Sequence, residues 1–387
     1  MATDKGKFRN NVVVNYCYNI TQNYLGYLTG IDIAYSSEND FDDIQNILNY
    51  NDVHSQDSEL LRQALIYGVG YEIAYIDING NQRFKPLDSR SVIPVYDNTL
   101  DNNLLYVIRL YGDTANNEYM VDVYDAVSVS TFRSNMGYSS FVLLEQKPHF
   151  FNQVPITVFS LNTEEESIFD KVITLQDAYN TLISSTITDW ETFCDCYMVL
   201  KGVTANEDDL AQMKESRVMI MDADASAEYL TKEVNDTQIQ NLLTNINDSI
   251  HKIANSPDFN DEKFMAQSGI AMRFKLVGFE NQASSIEANM RKALQKRIEL
   301  ICEVSHLKGI EAVWRDVKIV FTRNLPTNTL ETAQMVNSLR GLVSDETLLS
   351  LLPFVTDTTA ELERLNAQKE ANMDLYTFPT GIEEDDE

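Results

Sequence analysis

The hydrophobic period of this chain changes twice, and that alternation limits its fold more than any single motif does. Up to Tyr67 apolar residues recur at helical spacing. Residues 15–27 (NYCYNITQNYLGY) form one such stretch, and 38–51 another, with Phe41, Ile44, Ile47 and Leu48 in a stripe. Residues 58–67 read as a helix capped by Ser58 and stopped by Gly68 and Gly70. From Tyr71 the period drops to two. YEIAYIDINGNQRFKPL reads as a strand, an Asn79-Gly80 turn in which both positions want positive φ, and a returning strand. Further strands are expected at 91–96, 104–111, 119–126, 141–144 and 156–160, so this part reads as α+β with an antiparallel meander.

After Asn162 the helical period returns and lasts. Thr163 and the three acids behind it suit a helix N-terminus. No Gly or Pro then intervenes before Gly202, while Ile168, Val172, Leu175, Tyr179, Leu182, Ile183, Trp190 and Phe193 keep helical spacing. About 30 residues at the helical rise is roughly 45 Å, well above the mean globular helix. A short β-like insertion (197–200 and 218–221) follows. Next come a helix capped by Asp236 and ended at Pro257, a polar loop at 257–267, and a helical run over 268–307. Gly269 and Gly278 are its expected irregularities, and Ser284 with Glu287 reads as a capping box. A strand at 317–322 and three short helices (329–339, 344–352, 358–372) precede five terminal acids.

The 387 residues are material for two or three domains, and 59 Asp+Glu against 30 Lys+Arg give a net charge of -29. Such a surface is a poor general grip for nucleic acid phosphates. No apolar run has the length of a spanning helix, and the first residues lack a signal-peptide core. Cysteines 17, 194, 196 and 302 form neither a disulfide framework nor a CxxC pair. The chain therefore reads as soluble and intracellular. It contains no phosphate-cradling GxxxxGK[ST] and no GxSxG elbow. Histidines 54, 149, 251 and 306 have no ligand spacing, so neither an enzyme nor a cofactor is expected. Two acidic strings invite a metal reading. Pro257-Asp258 with Asp261-Glu262-Lys263 shares letters with metal-dependent nucleases but lacks the longer segment that chemistry needs. Asp222, Asp224, Ser226, Glu228 and Glu233 follow an EF-hand count, yet Ala227 stands where the sharp turn requires Gly; a solvated acidic loop is expected. Arg291, Lys292, Lys296 and Arg297, near Arg273 and Lys275, read as a solvated helix face paired with acids. The functional alternative for them is a contact zone for phosphate or a neighbouring subunit's acids. Elongated helices need neighbours to bury their apolar faces, and identical copies side by side in a ring supply them.

The order of these elements carries a resemblance. LIYGVGYEIAYIDINGNQRFKPLDSRSVIPVYD (65–97), LLYVIRLY (104–111), HFFNQVPITVFSLNTEEESIFDKVITLQDAYN (149–180), SPDFNDEKFMAQSGIAMRFKL (256–276) and NLPTNTLETAQMVNSLRGLVSDETLLSLLPFV (324–355) occur in collinear order. Together they resemble the portal (head-to-tail connector) proteins of tailed double-stranded-DNA bacteriophages, particularly the siphovirus type of Gram-positive hosts. The resemblance implies an α+β portal fold: an α/β wing (1–163), a stem of long helices (164–194 and 236–256), and a small β-containing clip (195–235). A tunnel loop (257–267), a long wing helix (268–308), a wing strand segment (309–328), a helical crown (329–376) and an acidic tail (377–387) complete it. It implies a homo-oligomeric ring, usually of twelve subunits, at one capsid vertex of the virion, assembled in the host cytoplasm and without a membrane. Double-stranded DNA would pass through the channel. The terminase motor, head-completion or adaptor proteins, and major capsid and scaffolding proteins would be partners. Asp258, Phe259, Asn260, Asp261, Glu262, Lys263, Phe264, Met265 and Gln267 would line the channel at the tunnel loop. Glu207, Asp208, Asp209, Val218, Met219, Ile220 and Met221 would meet partners at the clip. Family members commonly have longer N- and C-termini. The competing reading is a metal-dependent enzyme on nucleic acid, using the acids at 222–233 or 258–263.

Overall fold

The computed structural model describes residues 10–39, 41–113, 118–135, 140–194, 197–201, 224, 226–230, 236–259, 269–310, 313–324, 329–352, 355, 358, 361–362 and 364–368. The chain forms two compact units that divide between Asn324 and Leu325. The first opens with α1 (Tyr16–Thr29), β1 (Ala34–Ser36), α2 (Asp42–Tyr50) and α3 (Val53–Tyr67). Next come β2 (Val69–Ile76) and β3 (Gln82–Leu87), then five strands: β4 (Val92–Tyr96), β5 (Leu104–Asp113), β6 (Glu118–Tyr124), β7 (Ser128–Asn135) and β8 (Val142–Pro148). Strand β9 (Ile156–Ser160) leads to α4 (Ile173–Cys194), followed by β10 (Tyr197–Lys201), β11 (Ser226–Leu230) and α5 (Asp236–Ile253). Helix α6 (Gly269–Leu307) and β12 (Lys318–Val320) end the unit. The mixture is α+β, as the changes of period require.

Strand β2 is the centre of the unit, in a three-stranded antiparallel sheet of order β3-β2-β9. Its residues alternate between two buried environments. Val69, Tyr71 and Ile73 face a core shared with Leu87, Val92, Val107, Tyr124, Val154 and Ile156, which joins this sheet to the meander β4-β5-β6-β7-β8. On the opposite face, Ala74 and Ile76 pack with Phe151 and with Leu300 and Val304 of α6. Gly70 lies where α3 comes closest: a Cβ there would stand 2.8 Å from the Leu60 carbonyl oxygen. Strands β1 and β12 form a separate antiparallel pair, Tyr35 opposite Ile319.

Several boundaries differ from the expected ones, for local reasons. Helix α3 starts at Val53, about a turn and a half before Ser58, behind Asp52, whose backbone is left-handed (φ 52). The β2–β3 connection has only Gly80 at positive φ (83). There the Gly80 N–H donates to the Asp77 carbonyl, while the Asp77 carboxylate caps the N–H groups of Asn79 and Asn81, so the loop is longer than a two-residue turn. Strand β7 was not anticipated, because a register shift between Thr131 and Phe132 breaks its alternation against β8. Helix α4 does not begin at Thr163. Glu165 is left-handed (φ 55), Asn162 brackets Glu166 through both its amide groups, and the Ile168 N–H donates to the Leu65 carbonyl; a 3-10 turn (Asp170–Val172) then leads into α4. Helix α6 runs unbroken for 39 residues through Gly278 and Ser284, so the capping box is absent: the Ser284 hydroxyl donates to Glu280 within the helix. Part of the expected acidic loop is strand, since β11 pairs with β10 (Tyr197 opposite Leu230). Residues 218–221 lie outside the described residues.

In the second unit, helices Thr329–Leu339 and Asp345–Ser350 occur where expected, the latter capped by Ser344, whose hydroxyl accepts from the Thr347 N–H at 3.3 Å. The helix expected at 358–372 falls only in part on described residues.

Candidate functional site

Two expected functional segments leave α4 and α5, and the structure describes the ground on which they stand. Helices α4 and α5 pack side by side. Residues 10–15 run antiparallel to α4 and, with Tyr16 at the start of α1, are held by a polar ladder. The N–H groups of Asn10, Val12, Val14 and Tyr16 donate to the side chains of Thr188, Ser184, Asn180 and Gln176, at 2.9–3.2 Å. The spacing has a simple cause. Two residues of extended chain advance about 6.7 Å and four residues of helix about 6 Å, so every second N–H meets every fourth helix side chain. Replacing both Asn180 and Ser184 by Ala removes two rungs at about 1 kcal/mol each. Limited proteolysis should then cut at 10–15 sooner than in the parent chain.

The root of the 257–267 loop is clamped by α1. The Tyr24 hydroxyl donates to the carbonyls of Ala254 (3.2 Å) and Asn255 (3.3 Å). Asn23 donates to Ser256 Oγ (3.0 Å) and to the Pro257 carbonyl (3.3 Å). The Ser256 carbonyl lies 2.9 Å from His251 Nδ1, and the Ser256 N–H bonds back to the His251 carbonyl at 3.1 Å. Asn255, left-handed at φ 49, takes the sharp bend and donates to Gln282 of α6. Opposite it Gly278 leaves room, since a Cβ there would stand 3.0 Å from Asn255 Oδ1. Phe279 collects the rings of Tyr24 (4.5 Å), Tyr27 (4.7 Å) and Phe259 (6.0 Å). Burial pushes the phenols of Tyr24 and Tyr16 above their ordinary range, so both stay protonated donors.

Of the expected channel residues, Asp258 and Phe259 are described and sit at this root. Asn260, Asp261, Glu262, Lys263, Phe264, Met265 and Gln267 lie outside the described residues, as do the clip residues Glu207, Asp208, Asp209, Val218, Met219, Ile220 and Met221. Among the described residues no three His, Cys, Asp or Glu side chains are grouped to hold a metal ion. Nor, among them, is any helix long and apolar enough to cross a membrane.

The basic cluster on α6 is not one surface. Arg297 is 1% exposed and enclosed by two acids: it donates bidentately to Glu72 of β2 at 2.7 Å and to Asp57 of α3, whose other oxygen accepts from Tyr35 at 2.7 Å. Its guanidinium also stacks on Phe84, 4.5 Å from the ring centre. Arg291 bonds Glu287, and Lys296 reaches Glu299 and Gln153. The phosphate-contact reading therefore fails for Arg297, which ties β1, α3, β2 and α6 together. Its helical phase was the missed signal: it shares a face with Met290, Ala293, Leu294 and Ile301, all buried. The clamp residues Asn23, Tyr24, His251 and Ser256 had no such signal, being distant in sequence and ordinary in type.

The family described as phage portal protein, SPP1 Gp6-like, matches residues 2–374. The portal protein of Clostridium phage phiCD119 is 23% identical over 310 residues, covering 74% of this chain and 66% of that relative. The portal protein of Bacillus phage SPP1 is 23% identical over 397 residues, covering 93% of this chain and 76% of that relative. The chain thus spans about two thirds of the first relative's length and about three quarters of the second's. With the family match running over nearly all of its residues, the chain belongs to the SPP1 Gp6-like family of phage portal proteins.

Proposed function

We propose that this chain assembles into a closed ring, of twelve copies as in the resemblance, around a channel for double-stranded DNA at one vertex of the capsid. The observation that carries the reading is the apolar surface left open on the helix pair. Trp190 is 61% exposed, and Ile173, Ile187, Leu242 and Ile253 are also open to solvent in the single chain. Side-by-side copies would bury that surface. Residues 1–163 and 268–328 form the wing, α4 and α5 the stem, 195–235 the clip, 257–267 the tunnel loop and 329–376 the crown, which begins just past the division between the two compact units. The clip receives the terminase motor and later the head-completion or adaptor proteins, while capsid and scaffolding proteins meet the outside of the ring. The chain works as structure rather than as an enzyme, and the motor supplies the ATP-driven work. A net charge of -29 keeps a sliding duplex from adhering.

Negative-stain microscopy of the purified chain tests the ring directly: annular particles are expected, and compact monomers at high concentration overturn it. Trp190→Glu places a charge in the proposed interface. Native mass spectrometry should show the ring population falling in favour of single chains, with the melting of the single chain unchanged. Equal ring yield would remove Trp190 from the interface.

A further inference from the structure

One cleft stands apart in this acidic chain. It opens where the three-stranded sheet meets the meander and holds about 620 Å³. Among the described residues that line it there is no Asp or Glu, although acids outnumber bases 59 to 30 in the chain. Instead the wall carries Lys85 of β3, Arg109 of β5, Lys147 at the end of β8, and His149. Ile73, Ile76, Phe150 and Phe151 supply apolar lining. Phe151 is buried, whereas Phe150 beside it is 57% exposed.

The sheet register adds a main-chain feature. Strand β9 pairs with β2 only from Val69 to Ile73, while β3 pairs with it from Tyr71 to Ile76. The Ala74 N–H donates to the Pro155 carbonyl at 2.8 Å, and beyond that point no described strand continues along this side of β2. The last residues of β2 therefore offer a strand edge at the cleft, the geometry by which an extended peptide adds to a sheet. The cations are only partly engaged. Lys147 lies 2.8 Å from Glu145, and Arg109 lies 3.9 Å from Asp122 and over the Tyr111 ring. The His149 ring is occupied on both sides, its Nε2 by the Asp125 carbonyl at 2.8 Å and its Nδ1 by the Phe151 N–H at 3.5 Å. Lys85 is exposed.

We propose that this cleft is a docking site for a protein partner presenting an extended acidic segment with a bulky apolar anchor. The segment's backbone extends the sheet at Ala74 to Ile76, its anchor rests against Phe150 and Phe151, and its carboxylates meet Lys85 and Lys147. A phosphate ligand would use the cations and leave the apolar lining idle, which is why a peptide fits better. The whole protein repels an acidic partner at long range, so the local cations decide where it lands. The inference does not rest on ring assembly.

Fluorescence anisotropy of the full chain with a labelled peptide of sequence DELFEIDE tests it. A neutral counterpart (NQLFQINQ) and a ten-nucleotide oligothymidylate serve as competitors. Saturable binding of the acidic peptide is expected at about 0.15 M salt, where charges more than about 8 Å away are largely screened. It should fall by about tenfold or more in K85E/K147E and in F150S, both surface changes for which circular dichroism melts should match the parent. Four results overturn the proposal: no saturable binding, unchanged binding in either variant, equal binding of the neutral peptide, or equal competition by oligothymidylate, which would assign the cations to phosphate.

Discussion

Arg297→Met is expected to cost the first compact unit about 3–5 kcal/mol, because it leaves Asp57 and Glu72 buried together without their counter-charge. Both acids and the arginine are almost wholly enclosed. In the parent chain burial pushes both carboxyls up and Arg297 pulls them down, with the net direction upward: one cation serves two acids. The variant exaggerates this, since folding now holds both carboxyls protonated. A carboxyl whose folded pKa lies above its unfolded one gives its full stabilisation below the unfolded value and loses it as pH rises through the folded value. The variant should therefore be least damaged near about pH 4–5 and most damaged near about pH 8, the loss growing upward from the ordinary carboxylate range. Thermal melts of parent and variant across that range measure it. Asp57→Asn is the complementary change. It leaves one cation facing one anion and keeps a partner for Tyr35, so its cost at neutral pH should be far smaller. If Arg297→Met melts like the parent, or its deficit is the same at both ends of the range, the cluster is not the tie described above.

The contrast between Arg297 and the hairpin shows what a sequence reveals of this fold. The hairpin was legible because its cause is local: alternating residues on either side of Asn79-Gly80 set two strands whatever the rest of the chain does. Even so, the turn type escaped, because the Asp77 side chain competes for the loop N–H groups. Arg297 sat in a run of basic residues that looks solvated, and only its phase among Met290, Leu294 and Ile301 marked it as inward. Its partners, Glu72 on β2 and Asp57 on α3, come from over 200 residues away, and nothing in a one-dimensional pattern pairs them. The polar ladder on α4 falls between these cases. Gln176, Asn180, Ser184 and Thr188 at four-residue spacing are visible in the sequence, but their partner is backbone, which has no sequence signature. The start of α4 misled for a similar reason, since Asn162 and Glu165 spend the expected capping region on a turn against α3. The cleft has no signature in the sequence because Lys85, Arg109 and Lys147 lie on three separate strands.

Deleting Phe264 and Met265 is expected to leave melting and ring formation intact while the DNA held by assembled heads falls sharply. The deletion falls between two fixed points. On one side Tyr24, Asn23 and His251 hold the chain from Ala254 to Pro257, and on the other α6 begins at Gly269. The deleted pair lies outside the described contacts of the root, Phe259 on Phe279 included, so the proposed loop is shortened while those contacts keep their residues. An ordinary surface connection seldom needs two phenylalanines and a methionine within seven residues of sequence, as Phe259, Phe264 and Met265 provide here. In a ring those side chains can meet the same loop of the next subunit, with Lys263 making a weak, salt-screened phosphate contact. A second variant separates this reading from simple loss of stability. Asn23→Ala combined with Tyr24→Phe removes the donors that α1 supplies to the clamp, including the Tyr24 hydroxyl on the buried Ala254 carbonyl, at about 1–3 kcal/mol. That variant should lower both the melting temperature and the DNA content, whereas the deletion lowers the DNA content alone. If heads carrying the deletion fill and keep their genomes as the parent does, residues 257–267 have no part in the channel, whatever the clamp contributes to stability.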